Sequence, residues 1–317
     1  MNNHLIRSIL LLTASALLLS SCGDNSALET PNADANNINT EIPDFNSFST
    51  VTEKLAVESI NFEGNTSNIS VLVADRHNNP VPDNTTIFFL TNGGKIDQQC
   101  STANGACSVT WTEQTPTPSD FQAKILAYTS GEESFTDLND NDKFDAGEPF
   151  TDISEPFFDI NENGIRDSNE EFVDVDNDNV FDGANGLFTG EPCVGDNTVC
   201  DRRNTLIWDS QNIVLSGSFA TVLLTSGNLT TTTESTETLT FSVRDSNGNP
   251  LADGTTVAID ISKGSVDPGA ITFAPLSTGF TMVYTAGADP VPASLKITVT
   301  SQPSQTVTIA FFDITVN

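Results

Sequence analysis

Two stretches of this 317-residue chain repeat one another at a constant offset of 170 positions. Val73-Ala-Asp75-Arg-His-Asn-Asn79-Pro80-Val-Pro-Asp83-Asn-Thr85-Thr86-Ile87 lies over Val243-Arg-Asp245-Ser-Asn-Gly-Asn249-Pro250-Leu-Ala-Asp253-Gly-Thr255-Thr256-Val257, and Gly94-Lys-Ile96-Asp97 lies over Gly264-Ser-Val266-Asp267. A repeat of this kind restricts architecture more than local propensity does, because both copies must fold the same way. Alternation at Ile69, Val71 and Val73, and at Leu239, Phe241 and Val243, marks half-buried strands. The Asp/Asn/Gly/Pro segments between them are turns. Each copy is therefore expected to be an antiparallel sandwich of short strands, and the chain all-β.

The turn Asp75-x-x-Asn78-Asn79-Pro80-Val81-x-Asp83-x-Thr85, and its partner Asp245-x-x-Gly248-Asn249-Pro250-Leu251-x-Asp253-Gly254-Thr255, each precede an apolar strand. They resemble the signature of bacterial Ig-like domains of the invasin and intimin type. The resemblance covers roughly 51–130 and 219–317. It implies spacer or adhesion modules of surface proteins, without a catalytic centre, and names no ligand. The fold expected is two tandem Ig-like sandwiches, 51–218 and 219–317, the first bearing an insertion at about 132–205.

The repeat itself locates that insertion. In the second copy Leu295–Thr300 turns through five residues into 306–316, whereas in the first Ala123–Tyr128 leads into some 75 residues before an equivalent last strand at Gln211–Ser216. A hairpin turn at the tip of a sandwich has been replaced. Long additions cost little there and often carry function.

The insertion is acidic. Between Glu132 and Asp182 there are 18 Asp and Glu against Lys143 and Arg166, about half the chain's net charge of −31. Counting from Asp137 as place one, Asn139, Asn141, Lys143, Asp145 and Glu148 fall at places 3, 5, 7, 9 and 12. Counting from Asp159 gives Asn161, Asn163, Ile165, Asp167 and Glu170, with Gly164 at the sharp-turn place 6. A third series, Asp174, Asp176, Asp178, Val180 and Asp182, ends on Asn185. Hard oxygen donors at this spacing, with a backbone carbonyl at place 7 and a bidentate carboxylate at place 12, are those of an EF-hand calcium loop. The third loop is expected to bind more weakly or to borrow a ligand. Phe144, Ile165 and Phe181 are expected to point inward, and Phe135, Phe157 and Phe172 stand two before each first Asp, as Phe150 does before Asp152. Such a segment should not fold without metal. Dockerins also space two calcium loops about 22 residues apart, but Pro149 and Pro156 deny the helix that follows each dockerin loop. The insertion looks more like the Asp-x-Asn-x-Asn-Gly calcium inserts of bacterial surface proteins.

The N-terminus points to export. A short polar start with Arg7 is followed by an apolar run from Ile9 to Leu19, too short to span a bilayer. Leu19-Ser20-Ser21-Cys22 resembles the lipobox of bacterial lipoproteins, which implies cleavage of residues 1–21, lipid on Cys22 and anchorage in a membrane. Gly23, where that family uses Asp for inner-membrane retention, favours the outer membrane. Residues 22–50, rich in Asn, Ser, Asp and Thr, read as a flexible tether.

The other four cysteines form two pairs of equal spacing, Cys100 with Cys107 and Cys193 with Cys200. Zinc is one alternative, but an exported setting and a processed chain with a single histidine favour two local disulfides. That histidine, His77, lies in a turn, and no nucleophile elbow, phosphate loop or zinc motif accompanies it, so an enzyme is not expected. The negative charge argues against nucleic acid. The function expected is a lipid-anchored envelope protein with calcium-stabilised spacer or adhesion modules and a surface protein or glycan as ligand. The rival is a calcium-dependent carbohydrate-binding module, in which Trp111 or Trp208 could line a sugar site, although aromatics in sandwich strands are usually core.

Overall fold

The computed structural model describes residues 39–317. The signal peptide, Cys22 and most of the tether lie outside the described residues. No helix among the described residues is long and apolar enough to cross a membrane.

The first sandwich contains β1 (Phe48–Thr52), β2 (Ala56–Glu58), β3 (Thr66–Val73), β4 (Thr86–Thr91), β5 (Lys95–Ile96), β6 (Gln99–Ser101), β7 (Ala106–Thr112) and β8 (Gln122–Gly131). The insertion follows with four two-residue strands, β9 (Phe144–Asp145), β10 (Phe188–Thr189), β11 (Cys193–Val194) and β12 (Cys200–Asp201). The chain returns to the first sandwich in β13 (Thr205–Ser216). The second sandwich runs β14 (Ala220–Ser226), β15 (Thr230–Thr231), β16 (Thr236–Asp245), β17 (Thr256–Ile261), β18 (Ser265–Asp267), β19 (Ala270–Thr272), β20 (Gly279–Thr285), β21 (Ala293–Thr300) and β22 (Val307–Val316).

The two copies share one topology. Sheet orders β1-β3-β7-β5 and β2-β13-β8-β4-β6 in the first correspond strand for strand to β14-β16-β20-β18 and β15-β22-β21-β17-β19 in the second. Both are Ig-like sandwiches, antiparallel except where β2 joins β13 and β15 joins β22. The alternating residues do what period two requires: Ile69, Val71 and Val73 enter one core with Ile87, Phe89 and Trp111, and Leu239, Phe241 and Val243 enter the other with Val257, Ile259 and Tyr284. Cys100–Cys107 ties β6 to β7, and Cys193–Cys200 ties the end of the insertion.

The repeated polar residues have local causes. Asp75 accepts the N–H groups of His77 and Asn79, and Asp245 those of Asn247 and Asn249, so each opens an Asx turn. Asn78 and Gly248 occupy its left-handed position, with φ 62° and 87°. At Gly94, also left-handed, an added Cβ would lie 2.7 Å from the Trp111 ring, and at Gly264 it would lie 2.8 Å from that of Tyr284. Each core thus closes its largest aromatic against a glycine.

Two expected boundaries shift. β1 begins at Phe48 rather than 51, Phe45 packs on the core, and the Thr40 N–H donates to Asp75. The Asn/Ser/Thr composition that read as tether hides a polar edge strand. β13 begins at Thr205, six residues before Gln211, because Leu206 and Trp208 continue the alternation on a face that the insertion covers.

The sandwiches meet through paired polar groups. Leu55 donates its N–H to the Asp253 carboxylate at 2.8 Å, and Asp253 donates its own to Ala56 at 3.0 Å. Buried Glu58 accepts the Ser304 N–H at 2.9 Å, and Asp245 accepts that of Gly217 at 2.7 Å.

Candidate metal centre in the insertion

Each acidic loop folds around the same set of hydrogen bonds. In the first, Asp137 accepts the N–H groups of Asn139, Asp140 and Asp142, while Asn141 accepts that of Lys143. Glu148 closes the loop from place 12, one oxygen taking the Leu138 N–H and the other that of Asp145, both at 2.8 Å. The second loop repeats this: Asp159 accepts from Asn163 and Gly164, Asn163 from Ile165, and Glu170 from Ile160 and Asp167. Place 6 is left-handed in both, at Asp142 and Gly164. The glutamates at place 12 are buried.

The third loop finds its missing carboxylate upstream. Asp174 accepts from Asn177, Asp178 and Asn179, and Asp178 from Val180. Buried Glu155 then takes the N–H groups of Val175 (2.7 Å) and Asp182 (2.9 Å), the second and ninth places of that loop. Those are the two donors that the place-12 glutamates take in the first and second loops. Carboxylate oxygens of Glu155, Asp176 and Asp182 lie within 4.8 Å of one another, as do those of Asp174, Asp176 and Asp178.

A fourth turn follows the same pattern from three separate segments. Asp152 accepts from Asn185 and Gly186, Asn185 from Leu187, and buried Glu133 from Ile153 and Thr189. Asp152 thus stands at place 1, Asn185, Gly186 and Leu187 at places 5, 6 and 7, Thr189 at place 9, and Glu133 acts for place 12. The only sequence sign of it was Phe150, two residues before Asp152.

The four turns associate in pairs through residues two before place 1 and at place 8. Phe135 bridges Phe150, and Phe157 bridges Phe172. At place 8, Phe144 stacks on Phe188 at 4.5 Å, joining the first turn to the fourth. In the other pair Arg166 lies over the rings of Phe172 and Phe181. Ile165 therefore does not point inward: it stands at place 7 and is 70% exposed, and Arg166 takes the inward position.

The donor set suits a hard cation. It is made of carboxylates, Asn amides and backbone carbonyls, the ligands of calcium. The side-chain N–H₂ groups of Asn139 and Asn141 point at Asp145, and those of Asn161 and Asn163 at Asp167. Half a rotation of the Asn139 amide brings its carbonyl oxygen to the same place, whereas the carbonyl oxygens of Asn141, Asn161 and Asn163 are oriented by the N–H groups of Lys143, Asn163 and Ile165 that they accept. Burial pushes the Glu133 carboxyl up to about 7, against the opposing pull of the Ile153 and Thr189 N–H groups. Burial pushes the Asp137 carboxyl up, but the four backbone N–H groups around it together outweigh this and hold it below its usual value. A cation among these groups would offset the repulsion that accompanies so many carboxylates.

The insertion lies against the first sandwich instead of only projecting from its tip. Trp208, on the outer face of β13, donates its indole N–H to the Ser154 carbonyl at 3.2 Å and meets the Phe157 ring edge at 5.3 Å. It is therefore not a core residue, whereas Trp111 is, with its indole N–H on Gly93. His77 sits 3.2 Å from Asp142 of the first loop.

No family model matches the chain, and no curated protein matches it. Among solved structures, the Yersinia pseudotuberculosis adhesin InvE is similar at 14% identity over 87% of this chain and 60% of its own, with a TM-score of 0.28. The Escherichia coli adhesin FdeC gives 13% over 87% and 65%, with a TM-score of 0.31. A conjugative transposon lipoprotein from Bacteroides eggerthii gives 19% over 30% of this chain and 95% of its own, with a TM-score of 0.23. The chain thus spans less than two thirds of either adhesin structure. At these TM-scores the likeness carries no functional conclusion, and the fold stands on the strand orders above.

Proposed function

We propose that the chain is a lipid-anchored protein of the bacterial cell envelope, held through Cys22 in the outer membrane, whose Ig-like sandwiches serve as spacer or adhesion modules and whose insertion is held in shape by calcium. The observation that carries the metal reading is the recurrence of one closing contact. A buried glutamate takes the N–H groups of places 2 and 9 in the first three loops, even where it must come from outside the loop, as Glu155 does. The first two loops and the Glu155-completed third each bind calcium. The fourth turn offers only Asp152 and Glu133 as carboxylates and is the weakest. Sites of this class in extracellular modules fill at roughly 10⁻⁴ to 10⁻³ M calcium.

Titration calorimetry with calcium, followed by limited proteolysis of residues 132–204, tests the reading. Calcium heat together with calcium-dependent protection supports it. Absence of both contradicts it. Lipid on Cys22 is tested by metabolic labelling with palmitate, which the Cys22→Ala variant should abolish.

The carbohydrate-binding rival loses its aromatic platforms. Trp111 is in the core and Trp208 faces Phe157 and Ser154. A glycan array run with and without chelator distinguishes the two readings, and saturable, calcium-dependent binding of one sugar class would favour the rival.

A further inference from the structure

Two cations of the first sandwich have their partners in the insertion. The Lys124 side chain, on the outer face of β8, is only 4% exposed, and its ammonium lies 2.7 Å from the Glu162 carboxylate of the second loop. Arg76, in the turn after β3, donates to the Asp142 carbonyl of the first loop at 3.0 Å and to Glu132 at 3.2 Å, and it covers the Phe135 ring. Beside Lys124, Leu126 also points away from the core yet has no exposure, and Trp208 lies under Phe157. Neither Glu162 nor Asp142 stands at a side-chain ligand place. They are at places 4 and 6, left-handed corners whose positions depend on the loop closing.

We infer that calcium regulates the first sandwich itself: metal binding closes the first and second loops, and the closed loops seal the outer face of β8 and β13 by clamping Lys124 and Arg76. When calcium is withdrawn the loops open, the lysine loses its partner and cover, and Leu126 and Trp208 meet solvent. A buried ammonium without its carboxylate is strongly disfavoured, so uncovering and loop opening occur together. The inference rests on the calcium reading and adds to it a consequence outside the metal sites.

The test is amine footprinting of the full chain, acetylating lysines with and without chelator and reading each site by mass spectrometry. Exposed Lys95 and Lys263 serve as internal references. With calcium, Lys124 should react at least about tenfold more slowly than the references, and with chelator to within about threefold of them, the behaviour of a local opening equilibrium. Glu162→Gln should keep its calcium heat but lose most of the Lys124 protection. Calorimetry run in parallel separates the two ideas. Calcium heat with unchanged Lys124 reactivity overturns the seal and spares the metal sites, whereas no calcium heat overturns both. A Trp208 emission that does not shift on chelation in wild-type protein, where Trp111 is a constant background, also counts against the seal.

Discussion

The outer face of the last two strands has opposite fates in the two sandwiches. In the first, Tyr128 of β8 stands beside Trp208 of β13; in the second, Thr298 of β21 stands beside Ile309 of β22. The loops cover the first face, and Ala123 through Ala127 are buried without a break. In β21 of the second sandwich burial alternates, with Ala293, Leu295, Ile297 and Val299 buried and the residues between them not, while Val307, Ile309 and Phe311 of β22 are 52%, 49% and 66% exposed. Burial on both faces gives a strand a continuous apolar run, and burial on one face gives alternation. The insertion has therefore changed what β8 needs to be, turning an edge-on surface into an interior.

The shared core sets the largest expected effect and breaks the comparison if the two domains are not alike inside. Trp111→Ala and Tyr284→Ala each remove the aromatic that closes a core, and each should lower stability by about 3–5 kcal/mol in denaturant unfolding. The covered and bare faces should then separate. Trp208→Ala, losing the Ser154 and Phe157 contacts, should cost about 2 kcal/mol in the presence of calcium, and Ile309→Ala at the matching position less than about 0.5 kcal/mol. Equal costs would mean the cover does not hold.

The turn at Asp75 sharpens the comparison through pH. Its carboxyl is penalised by burial, but the Asn79 side chain and the N–H groups of Asn79, Thr40 and His77 outweigh this and hold it below 3.8. With the folded value depressed, its stabilising contribution is present above pH 3.8 and is lost as pH falls through that lower value. Asp75→Asn should cost about 1–2 kcal/mol at pH 7, and the gap from wild type should shrink below about pH 3.8 in unfolding curves taken across pH. The smallest effect belongs to the bare row. Phe311→Thr should change stability by less than about 0.5 kcal/mol while raising the concentration at which the protein remains monomeric in light scattering.

How much of this the sequence disclosed depends on how local each cause is. The repeat, the strand alternation and the spaced acidic series are short-range patterns, and within the first loop Asn139 and Asn141 both reach the Asp145 carboxylate while Glu148 accepts the Asp145 N–H. Glu155 closes a loop that starts 19 residues later, so its role shows only once the chain has doubled back. The fourth turn draws on Glu133, Asp152 and Asn185–Thr189, and apart from Phe150 two residues before Asp152 spacing along the chain carries no trace of it. The unbroken burial of β8 was present in Ala123-Lys-Ile-Leu-Ala-Tyr128 as a missing alternation. Lys124 within that run masked it, because a lysine is rarely buried without a partner.

The central claim, that glutamates close metal-binding loops regardless of where they lie in the chain, is tested most directly by native mass spectrometry of the calcium-loaded protein. At least three calcium ions should be retained by wild type, one fewer by Glu155→Gln, and the full number by Glu171→Gln at its exposed position. A wild-type protein without calcium, or a Glu155→Gln variant that keeps every ion, would contradict the account.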